Sequence, residues 1–99
     1  MTHLFIINPA AGSHDRTTEY REKIEKVCAA RGLPYRIAVS GKPGDCARLT
    51  KEAADSGQEY RIYACGGDGT LNEVVQGTNY FNFLQRGSPP LLCTTRYNP

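Results

Sequence analysis

The sequence predicts an α/β protein, a three-layer α/β/α sandwich built on a mainly parallel sheet. Three observations carry that expectation. Two runs, His3-Leu4-Phe5-Ile6-Ile7-Asn8 and Arg61-Ile62-Tyr63-Ala64-Cys65, are largely apolar without strict alternation, as in strands covered by helices on both faces. Between strand-like runs the period changes to that of helices, so the order reads strand, helix, strand, helix, strand, helix, strand. The third is Gly66-Gly67-Asp68-Gly69-Thr70, a glycine turn that joins the second run to a helix.

The first strand ends at Asn8-Pro9, where proline stops the ladder. Ala10-Ala11-Gly12-Ser13 follows as a small-residue loop at the strand's carboxyl end, where open α/β sheets place ligands; a plain strand-to-helix turn has the same composition. From Asp15 onward, Tyr20, Ile24, Val27 and Cys28 fall on one helical face and Arg21, Glu22, Lys23, Glu25 and Lys26 cover the rest. Gly32 and Pro34 end that helix.

Tyr35-Arg36-Ile37-Ala38-Val39-Ser40 alternates well enough for a second strand, and Gly41-Lys42-Pro43-Gly44-Asp45 turns into a second helix with Asp45 as its N-cap. Lys42 is not a phosphate-loop lysine, because the first glycine of that motif is missing and Pro43 replaces its hydroxyl residue. Cys46, Leu49 and Ala53 form a narrow, small-residue face that could sit close to a sheet, and Gly57 closes the helix. After the third strand and the glycine turn, a helix begins near Thr70, buries Leu71, Val74 and Val75, and ends around Gly77. Tyr80-Phe81-Asn82-Phe83-Leu84 has no clean period, Gly87-Ser88-Pro89-Pro90 is a breaker, and Leu91-Leu92-Cys93-Thr94-Thr95 reads as a fourth strand.

The glycine turn carries the chemistry. Gly66, Gly67 and Gly69 allow positive φ and a close backbone approach to a ligand, and a helix start supplies unpaired N–H groups. Such a turn suits phosphate. The Asp68 carboxylate would repel phosphate unless a metal ion or a reacting hydroxyl stood between them, which makes Asp68 the candidate catalytic residue. A plain loop in which Asp68 tolerates an unusual backbone angle is the competing reading. Thr70-Leu71-Asn72-Glu73 fits a capping box with Thr70 at the N-cap. Glu73 then either satisfies the Thr70 backbone N–H or contacts nucleotide or metal.

The run from Gly66 to Val75 resembles the nucleotide-binding signature of the diacylglycerol kinase catalytic domain, a family that includes sphingosine kinases and bacterial lipid kinases. The Gly-Gly-Asp-Gly core is shared with NAD kinases and 6-phosphofructokinases, and the Leu71-Asn72-Glu73-Val74 continuation favours the lipid kinases. Asn8-Pro9-Ala10-Ala11-Gly12 is similar to the Asn-Pro-x-x-Gly element that those enzymes use beside the ATP phosphates. Ser40 matches a position usually held by a nucleotide-touching threonine, and Gly44-Asp45-Cys46 matches a Gly-Asp-Ala that opens a helix. The resemblance covers about the first 90 residues and then departs at the tail. There the family has Pro-x-Gly-Thr-x-Asn; Thr95 can hold the threonine position, while Thr94 stands where glycine is expected.

The resemblance implies a diacylglycerol kinase-like N-terminal lobe, truncated before the β-rich second lobe that forms the other wall of the cleft, so that residues 1–99 are one ATP-binding domain inactive alone. It implies phosphoryl transfer from Mg-ATP to a lipid hydroxyl, with Asp68 acting as base or as an indirect metal partner. The implied nucleotide contacts are Asn8, Pro9, Gly12, Ser40, Gly66, Gly67, Asp68, Gly69, Thr70, Leu71, Asn72, Glu73 and Thr95; ATP and Mg2+ are the implied cofactors. Alternatives are an NAD kinase-like or sugar-phosphate kinase lobe, or a non-catalytic nucleotide-binding or interaction module.

A chain of 99 residues suits one domain with one modest core. Its net charge of +2 comes from interspersed charges, with no basic stripe to suggest nucleic acid. Cys28, Cys46, Cys65 and Cys93 lie far apart and read as buried reduced thiols. His3 and His14 stand alone and read as solvent-facing. No apolar run reaches the ~18 residues of a membrane span and no signal peptide is visible, which gives a cytoplasmic expectation. Tyr80, Phe81, Phe83, Leu91 and Leu92 crowd the tail, and with the second lobe absent they suggest a homodimer.

Overall fold

The structure is a computed structural model that describes residues 2–10, 15–78 and 91–95, with the backbone alone for 68, 78 and 91–95. Four strands, β1 (Thr2–Ile7), β2 (Tyr35–Val39), β3 (Tyr60–Cys65) and β4 (Leu91–Thr95), alternate with three helices, α1 (Thr17–Arg31), α2 (Asp45–Asp55) and α3 (Asp68–Thr78). All three strand pairings are parallel, and the order across the sheet is β2-β1-β3-β4. The two apolar runs are the inner strands. Gly12, His14 and the aromatic run from Tyr80 to Leu84 lie outside the described residues.

Side-chain alternation divides the sheet between two cores. Leu4, Ile6, Ile62 and Ala64 pack with Cys46 and Ala53 of α2 and Val74 of α3. On the opposite face, Ile7 and Cys65 pack with Ile24 and Cys28 of α1, joined by Phe5, Tyr20, Ile37 and Tyr63. The three layers follow directly, because inner strands flanked on both sides must bury residues of both parities. Each fully buried aliphatic side chain, such as Ile6, Ile62 or Val74, contributes about 1.5–3 kcal/mol.

Several expectations change. Val27 is 48% exposed: the face of α1 that meets the sheet is the narrower stripe of Tyr20, Ile24 and Cys28, and the edge strand β2 offers little width to cover a fourth position. Val75 likewise faces outward, while Thr70 and Gly77 share the buried side of α3 with Val74. His3 is not solvent-facing. Its ring stacks on Tyr63 with centroids 5.7 Å apart, and its Nδ1 lies 2.8 Å from the Tyr63 hydroxyl. Cys28, Cys46 and Cys65 are buried and form no disulfide, as read, while the side chain of Cys93 lies outside the described residues.

The small-residue face of α2 meets a helix as well as the sheet. Thr50 is fully buried there, its hydroxyl donating to the Cys46 carbonyl at 2.7 Å. Opposite it lies Gly77, in the last turn of α3, which ends at Thr78, next to the expected end. A Cβ on Gly77 would stand 2.8 Å from Thr50 Cβ and would run into the Ala47 carbonyl oxygen. The glycine is what lets the two helices approach.

Candidate functional site

The connection after β1 leads to α1 on one face of the sheet, and the connection after β3 leads to α3 on the other. Since β1 and β3 are neighbours, the chain departs in opposite directions from two adjacent strand ends. That arrangement opens a crevice at the topological switch point, beyond the carboxyl ends of the strands.

Asn8 sits at the mouth of this crevice. Its backbone N–H donates to the Cys65 carbonyl at 3.1 Å, and Ser40 N–H donates to the Ile7 carbonyl at 2.9 Å, so three strand ends are tied together. The Asn8 side chain extends the tie. Oδ1 accepts from Ala10 N–H at 3.0 Å and, more distantly, from the Ser40 hydroxyl at 3.5 Å. Nδ2 donates to Thr70 Oγ1 at 3.1 Å. Ser40 and Thr70 are both buried.

The glycine turn differs from the capping-box expectation. α3 begins at Asp68, and its first turn closes with Leu71 N–H donating to the Gly67 carbonyl at 3.2 Å. Gly67 is therefore the N-cap, which glycine fills acceptably, and Asp68 stands in the first turn where the helix dipole favours an acid. Thr70 lies within the helix and takes its hydrogen bond from Asn8. Gly67 and Gly69 do not use positive φ; among the described residues, nothing beyond their chain neighbours and the helix's own backbone lies within 4 Å of where their Cβ atoms would be. The Cβ-side openness at Gly67 and Gly69 leaves room beside the first turn of α3, whose N–H groups have no partner within the helix.

Glu73 does not cap its own helix. Its Oε1 accepts from Gly44 N–H at 3.0 Å, binding α3 to the start of α2. Gly44 is the N-cap of α2 at φ 90°, a left-handed conformation suited to glycine. Asp45 is accordingly the first residue of α2 rather than its cap, and its Oδ2 accepts from Gly41 N–H at 2.8 Å, closing the β2–α2 turn. That backbone hydrogen bond holds the Asp45 carboxyl below the usual carboxylate range; burial opposes the shift and Arg48 adds to it. Cys46, behind Ser40, has its thiol pushed up by burial, partly offset by a hydrogen bond to Ser40.

The remaining candidates fall as follows. Pro9 is half-buried in the turn after β1, Gly66 follows β3, Leu71 packs against the core and Asn72 is exposed. Asp68 opens α3 and Thr95 ends β4, each described by its backbone alone. Among the described residues no group of three metal-ligating side chains occurs. Asp45 and Glu73 are already taken by backbone N–H groups.

A sheet of this order, doubly wound about a glycine turn at its switch point, defines the class of fold. Residues 2–92 match the diacylglycerol kinase catalytic domain, and the chain belongs to that family. It is 37% identical over 81 residues to "Putative lipid kinase YtlR" of Bacillus subtilis, covering 78% of this chain and 26% of that protein. It is 45% identical over 50 residues to "Probable lipid kinase YegS-like" of Cronobacter sakazakii, covering 50% of this chain and 16% of the relative. A solved structure described as a diacylglycerol kinase from Bacillus anthracis superposes with a TM-score of 0.67 at 24% identity, over 99% of this chain and 31% of that one. At that identity the superposition speaks for the fold.

Proposed function

We propose that this chain is the nucleotide-binding lobe of an ATP-dependent lipid kinase. The observation that carries the reading is the convergence on Asn8: the ends of β1 and β2 and the first turn of α3 meet at the switch point, with room on the Cβ side of Gly67 and Gly69 among the described residues. The relatives' names support a lipid acceptor and the family's description points to diacylglycerol; the accepting group in this reading is a lipid hydroxyl. The γ-phosphoryl group of ATP passes in line to that hydroxyl oxygen, the β–γ bridge oxygen leaves with ADP, and the acceptor's proton goes to a base. Asp68, at the start of α3, serves as that base or as an indirect partner of Mg2+, the ion that neutralises the phosphate charge when bound.

Within the same reading the protein works in the cytoplasm, where ATP is available, and self-associates as a two-fold dimer. Sedimentation equilibrium at micromolar concentration tests the dimer, and a strict monomer contradicts it. The nucleotide reading is tested by thermal melts with Mg-ADP, NAD and fructose 6-phosphate. A rise in melting temperature with Mg-ADP alone is expected; a rise only with NAD or the sugar phosphate would transfer the lobe to the related kinases, and no rise with any of them would favour a non-catalytic module.

A further inference from the structure

We propose that Asn8 is a positioning residue, which acts by fixing Thr70 and the first turn of α3 rather than by touching nucleotide. The inference rests on the nucleotide reading for its purpose, and on hydrogen bonding alone for its geometry. Ala10 N–H can only donate, so the Asn8 atom facing it is the carboxamide oxygen. This fixes the amide: the nitrogen faces Thr70, and its N–H donates to Oγ1 at 3.1 Å. The Ser40 hydroxyl then approaches the same oxygen from the end of β2.

Three polar side chains that resemblance assigns to nucleotide are therefore turned toward one another. Thr70 is 2% exposed and Ser40 6%, leaving almost no side-chain surface for a ligand. What they present to the crevice is the backbone of the α3 first turn, whose register depends on Thr70 being held. Truncation of Asn8 would leave a buried hydroxyl without its donor and release the contact between the loop after β1 and α3. A direct contact, by contrast, would have to use the second hydrogen on Nδ2.

The test compares wild type with Asn8→Ala, Thr70→Val and the double variant, read in two ways. In ligand-free protein, amide resonances from Asp68 to Leu71 should move in the same direction in both single variants. Mg-ADP affinity should fall about 3- to 10-fold in each, the worth of one net hydrogen bond, and the double variant should be no weaker than the weaker single one. Thr70→Ser, which keeps the hydroxyl, should stay near wild type on both readouts. Unmoved α3 amides in ligand-free Asn8→Ala together with weakened Mg-ADP binding, or losses that multiply in the double variant, would overturn the proposal. If Asn8→Ala does not fold, Thr70→Val against Thr70→Ser decides, and equal behaviour of those two overturns it. A wild-type chain that does not bind Mg-ADP removes the nucleotide reading, and the ligand-free amide shifts then decide the positioning role by themselves.

Discussion

Asp45 and Asp68 stand at the starts of two helices. The Asp45 carboxylate is held below its ordinary pKa of 3.8, first by the Gly41 N–H and then by Arg48. A depressed native pKa stabilises the fold fully above the unfolded value, and that stabilisation is lost as pH falls through the native value. Stability should therefore be insensitive to Asp45 near neutrality and decline below pH 3.8. In Asn-substituted protein (Asp45→Asn) this part of the acid decline should vanish, which acid-titration melts of the two proteins would show. For Asp68, the proposed role as base predicts that Asp68→Asn, tested in a form of the protein that turns over substrate, leaves the melt nearly unchanged and lowers turnover by roughly 10²–10⁴, the range for losing acid–base assistance. A near wild-type rate would remove Asp68 from the chemistry.

At the scale of elements, the contact between α2 and α3 decides how the site is braced. Gly77→Ala gains helix propensity of about 0.5–1 kcal/mol. It also drives a methyl group toward Thr50 and a backbone carbonyl at Ala47, and overpacking of that kind costs about 1–3 kcal/mol. A net loss is expected, seen as a melting temperature several degrees lower, since about 1 kcal/mol moves a domain of this size by roughly 4–8 °C. An unchanged or raised melting temperature would mean that the helices separate easily.

The elements also show what the sequence could disclose. β1 and β3 were legible because strands buried on both faces are apolar at successive positions. The start of α3 was not: Thr70-Leu71-Asn72-Glu73 satisfies the capping-box pattern, but the box competes with partners distant in sequence. Asn8 takes Thr70 and Gly44 takes Glu73, across 62 and 29 positions. His3 and Thr50 were missed for the same reason. A lone histidine carries no sign of a tyrosine on the neighbouring strand, and a threonine among charged residues carries none of a glycine on the next helix.

On the scale of the whole molecule, two cores on either side of one sheet shelter three of the cysteines. Cys28 and Cys65 lie in the core beneath α1, and Cys46 lies in the core beneath α2. Burial raises the Cys28 and Cys46 thiols above their ordinary pKa, which further suppresses the reactive thiolate. All three should resist a thiol reagent in native protein and react on unfolding, as peptide mapping after a timed pulse would reveal. Fast native labelling of Cys46 would indicate that the region behind Ser40 opens readily.

The same sheet places the crevice between β1 and β3, and the central claim is that a nucleotide's phosphates sit there on the first turn of α3. Titration of isotopically labelled protein with Mg-ADP, followed by backbone amide shifts, tests it most directly. Saturable shifts concentrated at Gly67, Asp68, Gly69 and Thr70, with smaller ones at Asn8, Ala10 and Ser40, are the predicted result. Saturable shifts confined to the opposite, amino-terminal end of the strands, around Thr2, Tyr35 and Tyr60, or no saturable shifts at all, would contradict it.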